Sequence, residues 1–340
     1  ELHYNDKNLI EKVIRALSLL EMLVKAGCPL VFKGGTALML ILGKSAHRLS
    51  IDIDLICPPG TNIEDYLKSF ADFGFINLEL VERKQRDDAD IPKSHSKFFY
   101  QIAYRNDTDA QSYILLDVLY EDIHYFRTQQ IAINCPFIRL EGKPLMVTVP
   151  SAEDILGDKL TAFAPNTTGI PYYRNGRSCS MEIAKQLYDV GRLFENVSDL
   201  QITKEAFRKI AVVELSYRSF GTDIGQVFND IRQTALCIST RGKAGEGDFD
   251  LIQDGIIRVK SFMYKQRYLI DHAIIDAARA AYLATLIEKG INEIESYSNN
   301  PADIKDMVIR PSLPNKLNKL RSNLPEAYYY WAKTSELLEA

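Results

Sequence analysis

The sequence predicts an α+β protein, with a mixed sheet and flanking helices in its first part and a mainly helical second part. Three observations predict this. Up to Pro150, short segments with strand-like alternation are mixed with helical ones. From Ser151 onward the apolar residues recur almost entirely at the helical period. Residues 30–57 hold an apolar run, a glycine pair, a second apolar run and an alternating strand in close succession. The change of character at Pro150-Ser151 divides the chain into two expected domains, 1–150 and 151–340, and 340 residues suffice for about two domains.

Ile10, Val13, Ile14, Leu17, Leu20 and Leu23 fall at helical spacing and predict an amphipathic helix over 8–26. A short strand over 30–33 follows Pro29, and a helix is expected over 36–42 behind the glycine turn. The strand bearing Asp52 and Asp54 stops at Pro58-Pro59-Gly60, a strong breaker. A helix with an acidic first turn is expected over 63–73, then strands over 76–81, 97–104 and 113–120. The charged stretch 82–96 reads as a solvated loop. Ser151 followed by Glu153 and Asp154 has the pattern of a helix N-cap with acids in the first turn. Helices are expected over 153–163, 181–195, 204–217, 222–236, 247–265, 270–289 and 326–338. The stretch 165–179 reads as an irregular insertion, of a length that often carries function.

The chemistry concentrates in LVFKGGTALMLILGKSAHRLSIDIDLIC, residues 30–57. On a strand, Asp52 and Asp54 point to one face while Ile51, Ile53 and Leu55 point to the other. Two adjacent carboxylates repel and desolvate badly unless a cation lies between them. Hard oxygen ligands at this spacing suit Mg²⁺, with Mn²⁺ as a substitute. Gly34 and Gly35 let the backbone approach a phosphate, and the N–H groups opening the next helix favour an anion. A D-x-D alone is usually a solvated strand face and a glycine pair a turn. Strand, glycine pair, helix and R-x-S-x-D-x-D in this order are far more specific, and read as a metal–nucleotide site.

A third carboxylate is expected at Asp117, the single acid inside the apolar strand Ile114-Leu-Leu-Asp-Val-Leu. Burial beside a cation would offset its charge; a strand-edge aspartate facing solvent is the alternative. Lys33 before the glycines and Arg48 before the acidic strand are placed to aid phosphate binding, and Arg48 can equally hold the strand through an aspartate. Ser50 shares a face with the carboxylates by period-2 counting, suited to a phosphate or to a hydrogen bond that supports a metal ligand. His47, His95, His124 and His272 have no convincing partner and read as core or surface residues. No Ser-His-Asp or Cys-His arrangement and no Walker A loop is visible.

KGGTAL followed by RLSIDIDL resembles the AbiEii/AbiGii toxin family of nucleotidyltransferases, within the DNA polymerase β-like superfamily, over residues 1–195. The gap from Gly35 to Asp52 is longer than in the common superfamily pattern, which fits the AbiEii-like branch. The resemblance implies a nucleotidyltransferase-like fold, an NTP substrate, and metal binding by Asp52, Asp54 and Asp117. It implies nucleotide binding by Lys33, Gly34, Gly35, Thr36, Arg48 and Ser50. In the helical part it implies that Lys159, within Asp158-Lys159-Leu160, meets the triphosphate, where a surface helix lysine is the plain alternative. The helix K-x-x-x-D-x-x-x-L at Lys185 and Asp189 completes the match, with Asp189 catalytic and Lys185 second. Those two residues are also an i,i+4 pair worth about 0.3–0.5 kcal/mol on a helix surface.

Composition is ordinary for a globular protein, with 46% hydrophobic and 25% charged residues. The net charge of −4 gives no global basic field for nucleic acid. Five scattered cysteines without C-x-x-C spacing read as reduced thiols of a cytoplasmic protein. No membrane span and no signal peptide are expected, and a few native residues are expected before Glu1. The resemblance implies RNA as acceptor, at the 3′ end of tRNA, and a toxin with a cognate antitoxin. Lys305, Arg310, Lys316, Lys319 and Arg321, followed by Tyr328, Tyr329, Tyr330 and Trp331, form an aromatic–basic cluster that could bind RNA or be a solvated face with core aromatics. Tyr172, Tyr173, Arg174 and Arg177 form a smaller one. The same chemistry on a small-molecule or protein hydroxyl, and a catalytically silent nucleotide-binding protein, are the other readings.

Overall fold

The computed structural model describes residues 6–81, 93–103, 110–136, 139–197, 199–218, 221 and 223–340. The chain forms two compact units: Glu1–Ser151 with Phe262–Gln266, and Ala152–Ser261 with Arg267–Ala340.

The first unit opens with α1 (Lys7–Lys25), where the Asp6 carboxylate accepts from the Leu9 N–H at 3.1 Å as an N-cap. Then come β1 (Val31–Lys33), α2 (Gly34–Leu42), β2 (Ile53–Cys57), β3 (Asn77–Val81), β4 (Lys93–Gln101), β5 (Gln111–Tyr120), β6 (Thr128–Ala132) and β7 (Met146–Pro150). Five strands make one sheet in the order β1-β2-β5-β4-β3, with β2 and β5 parallel and the other neighbours antiparallel. This is the mixed sheet the sequence predicts. One face is apolar: Phe32, Ile53, Leu55, Phe98, Ile114, Leu116 and Val118 pack in a single core with Val13, Leu17, Leu20 and Leu23 of α1. Alternation then sends Lys33, Asp54, Asp117 and His95 to the opposite face.

Several sequence expectations change. The helix expected over 63–73 is two short 3-10 turns, Ile63–Tyr66 and Phe70–Phe73. Ile63 and Leu67 are buried and Phe70 packs on the core without a continuous helix. β4 begins at Lys93, so the loop expected over 82–96 includes the start of a strand, while 82–92 lie outside the described residues. β6 and β7, a two-stranded sheet of their own, were not legible as strands.

The second unit contains α3 (Ala152–Ala162), β8 (Tyr173–Arg174), β9 (Arg177–Ser178), α4 (Ser180–Phe194), α5 (Leu200–Tyr217), α6 (Ile224–Ser239), α7 (Phe249–Val259), α8 (Ile270–Lys289), α9 (Leu320–Asn323) and α10 (Pro325–Glu339). α8 is buried nearly all round, from Ala273 to Ile287, and packs against α4, α6 and α10. The helix expected over 247–265 ends at Val259; a 3-10 turn over Lys260–Phe262 follows, and 262–266 then take backbone partners within the first unit. There Leu49 N–H donates to Phe262 O at 2.8 Å and Met263 forms a bridge with Arg48. The insertion 165–179 is ordered by Asp230, which accepts hydrogen bonds from Asn166 N–H at 2.9 Å and Thr167 Oγ1 at 2.8 Å. It then forms the β8–β9 hairpin, whose turn residues Asn175 and Gly176 have φ of 52° and 73°. Tyr328, Tyr329, Tyr330 and Trp331 are buried, and Trp331 Nε1 donates to Ser239 Oγ at 3.0 Å. Of the two aromatic–basic segments, the C-terminal aromatics are therefore core residues. Among the described residues no helix is long and apolar enough to cross a membrane, and none of the five cysteines is in a disulfide.

Candidate functional site

The polar face of the sheet carries an ordered row. Lys33 is the register partner of Asp54, Asp54 of Asp117, and Asp117 of His95. Register partners share a face, about 4.8 Å apart across neighbouring strands. Two carboxylates thus stand side by side at the sheet centre, with a lysine on one flank and a histidine on the other. His95 is buried, and its Nδ1 is hydrogen-bonded to Asp117 Oδ1. Lys33 Nζ lies 5.9 Å from the Tyr125 ring centroid.

Asp52 falls one residue ahead of β2 instead of within it. Its carbonyl accepts from Thr36 Oγ1 at 2.7 Å and so is tied to the first turn of α2. That helix starts at the glycine pair directly after β1, and its N-cap, Lys33, does not cap the helix through its side chain. Gly34 has φ of +78°, and a Cβ there would collide with the Asp54 carboxylate. A Cβ on Gly35 would lie 2.8 Å from Ser50 Oγ and 2.9 Å from Arg48 Nη2. The glycines therefore let Asp54, Ser50 and Arg48 close onto the start of α2. Arg48 is buried and donates from Nη1 to Leu49 O at 3.1 Å. In this unit the structure brings together Lys33, Gly34, Gly35, Thr36, Arg48, Ser50, Asp52, Asp54 and Asp117, all singled out from sequence.

Among the described residues, no group of three or more His, Cys, Asp or Glu side chains is gathered tightly enough to hold a metal ion unaided. The donor chemistry nevertheless fits Mg²⁺. This ion usually takes one or two carboxylates and completes its shell with water and substrate phosphates. Like charges directly opposite on neighbouring strands are unfavourable without a cation, and Asp54 and Asp117 are such a pair.

The other site candidates lie in the second unit. Lys159 on α3 and Asp189 on α4 are both buried, and form an ion pair at 3.1 Å. Lys159 Nζ also donates to Gln186 Oε1 at 2.9 Å. The lysine is thus a buried interhelical group, not a surface one, and its ammonium is already engaged. Lys185 is half-buried on the same helix as Asp189. A further buried cluster went unread in the sequence. Asp276 of α8 accepts from Tyr268 OH at 3.1 Å and lies 3.4 Å from Arg279 Nη1 and 4.0 Å from Arg192 Nη2. Gly191 leaves room for it, since a Cβ there would overlap its carboxylate. Burial pushes the Asp276 carboxyl up to about 6 against the pull of the two arginines.

His95 is the residue of the sheet that sequence reasoning missed. The run 93–97 is polar without alternation and carries no strand signal, so His95 comes opposite Asp117 only through the register of β4 with β5.

A family profile described as nucleotidyl transferase AbiEii toxin, type IV toxin–antitoxin system, matches residues 17–305. The crystal structure of JHP933 from Helicobacter pylori is similar at a TM-score of 0.42 and 15% identity, over 84% of this chain and 91% of that one. None of the curated proteins matches the sequence.

Proposed function

The chain belongs to the AbiEii family of nucleotidyl transferase toxins, and from that premise we propose that it moves a nucleoside monophosphate from an NTP to a hydroxyl of RNA, at the 3′ end of tRNA. One observation carries the proposal: Asp54 and Asp117 stand side by side on the sheet face, with the glycine-opened start of α2 packed against Asp54. The activity halts translation when a cognate antitoxin is absent.

Backbone N–H groups at the start of α2 bind phosphate oxygens of the NTP, helped by the Ser50 hydroxyl and the Arg48 guanidinium. Asp54 and Asp117, side by side on the sheet, are the residues that would hold Mg²⁺, with Asp52, one residue ahead of β2, the further carboxylate that the family resemblance implies. When bound, the ion neutralises the triphosphate and lowers the pKa of the acceptor hydroxyl. The acceptor oxygen attacks the α-phosphorus in line, a new P–O bond forms, and the bond to the β-phosphate oxygen breaks to release pyrophosphate. Asp117 orients the acceptor hydroxyl beside the cation, and the proton of that hydroxyl passes to solvent as the new P–O bond forms. The protein contributes position and charge, with no covalent intermediate.

An RNA acceptor is supported by the β8–β9 hairpin. Arg174 and Arg177 are register partners on one of its faces, both exposed, and Tyr173 is 57% exposed. Such a ribbon offers phosphate contacts and a stacking surface. The roles implied for Lys159, Lys185 and Asp189 remain part of the proposal.

Incubation with each α-³²P-labelled NTP, Mg²⁺ and total RNA, resolved on a denaturing gel, tests it. Label at tRNA size is expected, abolished by Asp52→Asn or Asp54→Asn with the circular dichroism spectrum unchanged. Label on protein would move the acceptor to a protein hydroxyl. Transfer at a near-normal rate in both variants would remove the carboxylates from the chemistry.

A further inference from the structure

We propose that His95 is a positioning residue for Asp117, fixing the carboxylate that supports the cation and the acceptor hydroxyl. The inference rests on the reading of Asp117 given above. It starts from register: β4 is antiparallel to β5, and His95 is the direct partner of Asp117 on the polar face. Asp117 is paired on its other side with Asp54. His95 therefore sits at the end of the acidic row, the side from which Asp117 can be held without blocking Asp54.

The hydrogen bond gives the role its chemistry. An ionised carboxylate only accepts, so Nδ1 of His95 carries the proton and donates to Asp117 Oδ1. The imidazole is held firmly: His95 is 8% exposed, while the Asp117 side chain keeps 39% of its surface. A buried, fixed donor thus grips one oxygen of a half-exposed acceptor and leaves the second oxygen turned to other partners. This is how a histidine or backbone group orients a metal-ligating carboxylate, and loss of such a partner typically costs 10–100-fold in metal affinity or activity. Without the bond, Asp117 would be free to swing away from Asp54, its like-charged neighbour.

The test uses the full chain with His95→Leu, which removes the donor, and His95→Asn, whose amide places an N–H near the Nδ1 position. Mn²⁺ affinity is measured by calorimetry with the ion alone, and nucleotidyl transfer is measured beside it. Nitrogen-detected NMR of the imidazole in the wild-type protein reads the tautomer directly. The expected results are an Nδ1–H tautomer, Mn²⁺ affinity and transfer rate both lowered about 10–100-fold in His95→Leu, and partial recovery in His95→Asn. An Nε2–H tautomer overturns the proposal outright. So does wild-type Mn²⁺ affinity in His95→Leu while Asp117→Asn is weakened. Equal losses in the Leu and Asn variants also overturn it, because the ring's bulk and not its donor would then matter. If His95→Leu does not fold, the tautomer and the His95→Asn affinity decide alone. A wild-type protein that binds no Mn²⁺ and transfers nothing would instead sink the metal role of Asp117 itself, and this proposal with it.

Discussion

At Gly34 the backbone and the site make the same demand. Its φ of +78° disfavours any residue with a Cβ, and that Cβ would occupy the position of the Asp54 carboxylate. Gly34→Ala should therefore cost roughly 1–2 kcal/mol in backbone strain and also displace Asp54. The expected outcome is a lowered unfolding midpoint together with loss of nucleotidyl transfer. A variant that folds as stably as the wild type and transfers normally would show that the close approach is dispensable. Individual residues of this kind were legible because their signal is local: glycines next to each other, acids two apart, a lysine just before. His95 was not, because its meaning comes from Asp117, 22 positions away on another strand.

At the scale of elements, α3 and α4 are joined by the buried Lys159–Asp189 pair. Asp189→Leu leaves a buried ammonium hydrogen-bonded to Gln186, and breaking a buried pair from one side costs about 3–5 kcal/mol. The double variant Lys159→Met with Asp189→Leu, which removes both charges, should regain much of that stability in denaturant unfolding. If the pair also serves nucleotidyl transfer, activity stays lost in the stable double variant. Recovery of both would reduce the pair to a structural tie. Periodicity located these helices to within a residue or two, because their apolar stripes are long. It could not say that Asp189 would meet Lys159, since that depends on how two helices cross. The helix expected over 247–265 failed for a related reason. Its last residues have helical spacing, yet 262–266 gain backbone partners at His47 and Leu49, which a local pattern cannot foresee.

For the molecule as a whole, stability should carry a pH signature from Asp276. Its carboxyl is raised by burial from 3.8 to about 6, so between those values the folded chain binds more protons than the unfolded one. Stability from this group is full below pH 4 and is lost as pH rises through about 6. Asp276→Asn should remove that loss, gaining on the wild type by up to roughly 3 kcal/mol from pH 4 to pH 7. Thermal midpoints across this range check it, and a constant difference between the two proteins would sink it. The sequence by itself determined the α+β class, most of the helices, the sheet strands around the glycine pair, and the family. Each of these depends on contiguous patterns of polarity and on residue types whose conformational limits are intrinsic. Only the tertiary structure decided which charges meet: Asp54 with Asp117, Asp117 with His95, Lys159 with Asp189, Asp276 with its arginines. It also decided that the C-terminal tyrosines fill a core instead of facing a ligand. Burial and pairing are set by strand register and helix packing between residues far apart in the chain, and no local pattern encodes those distances.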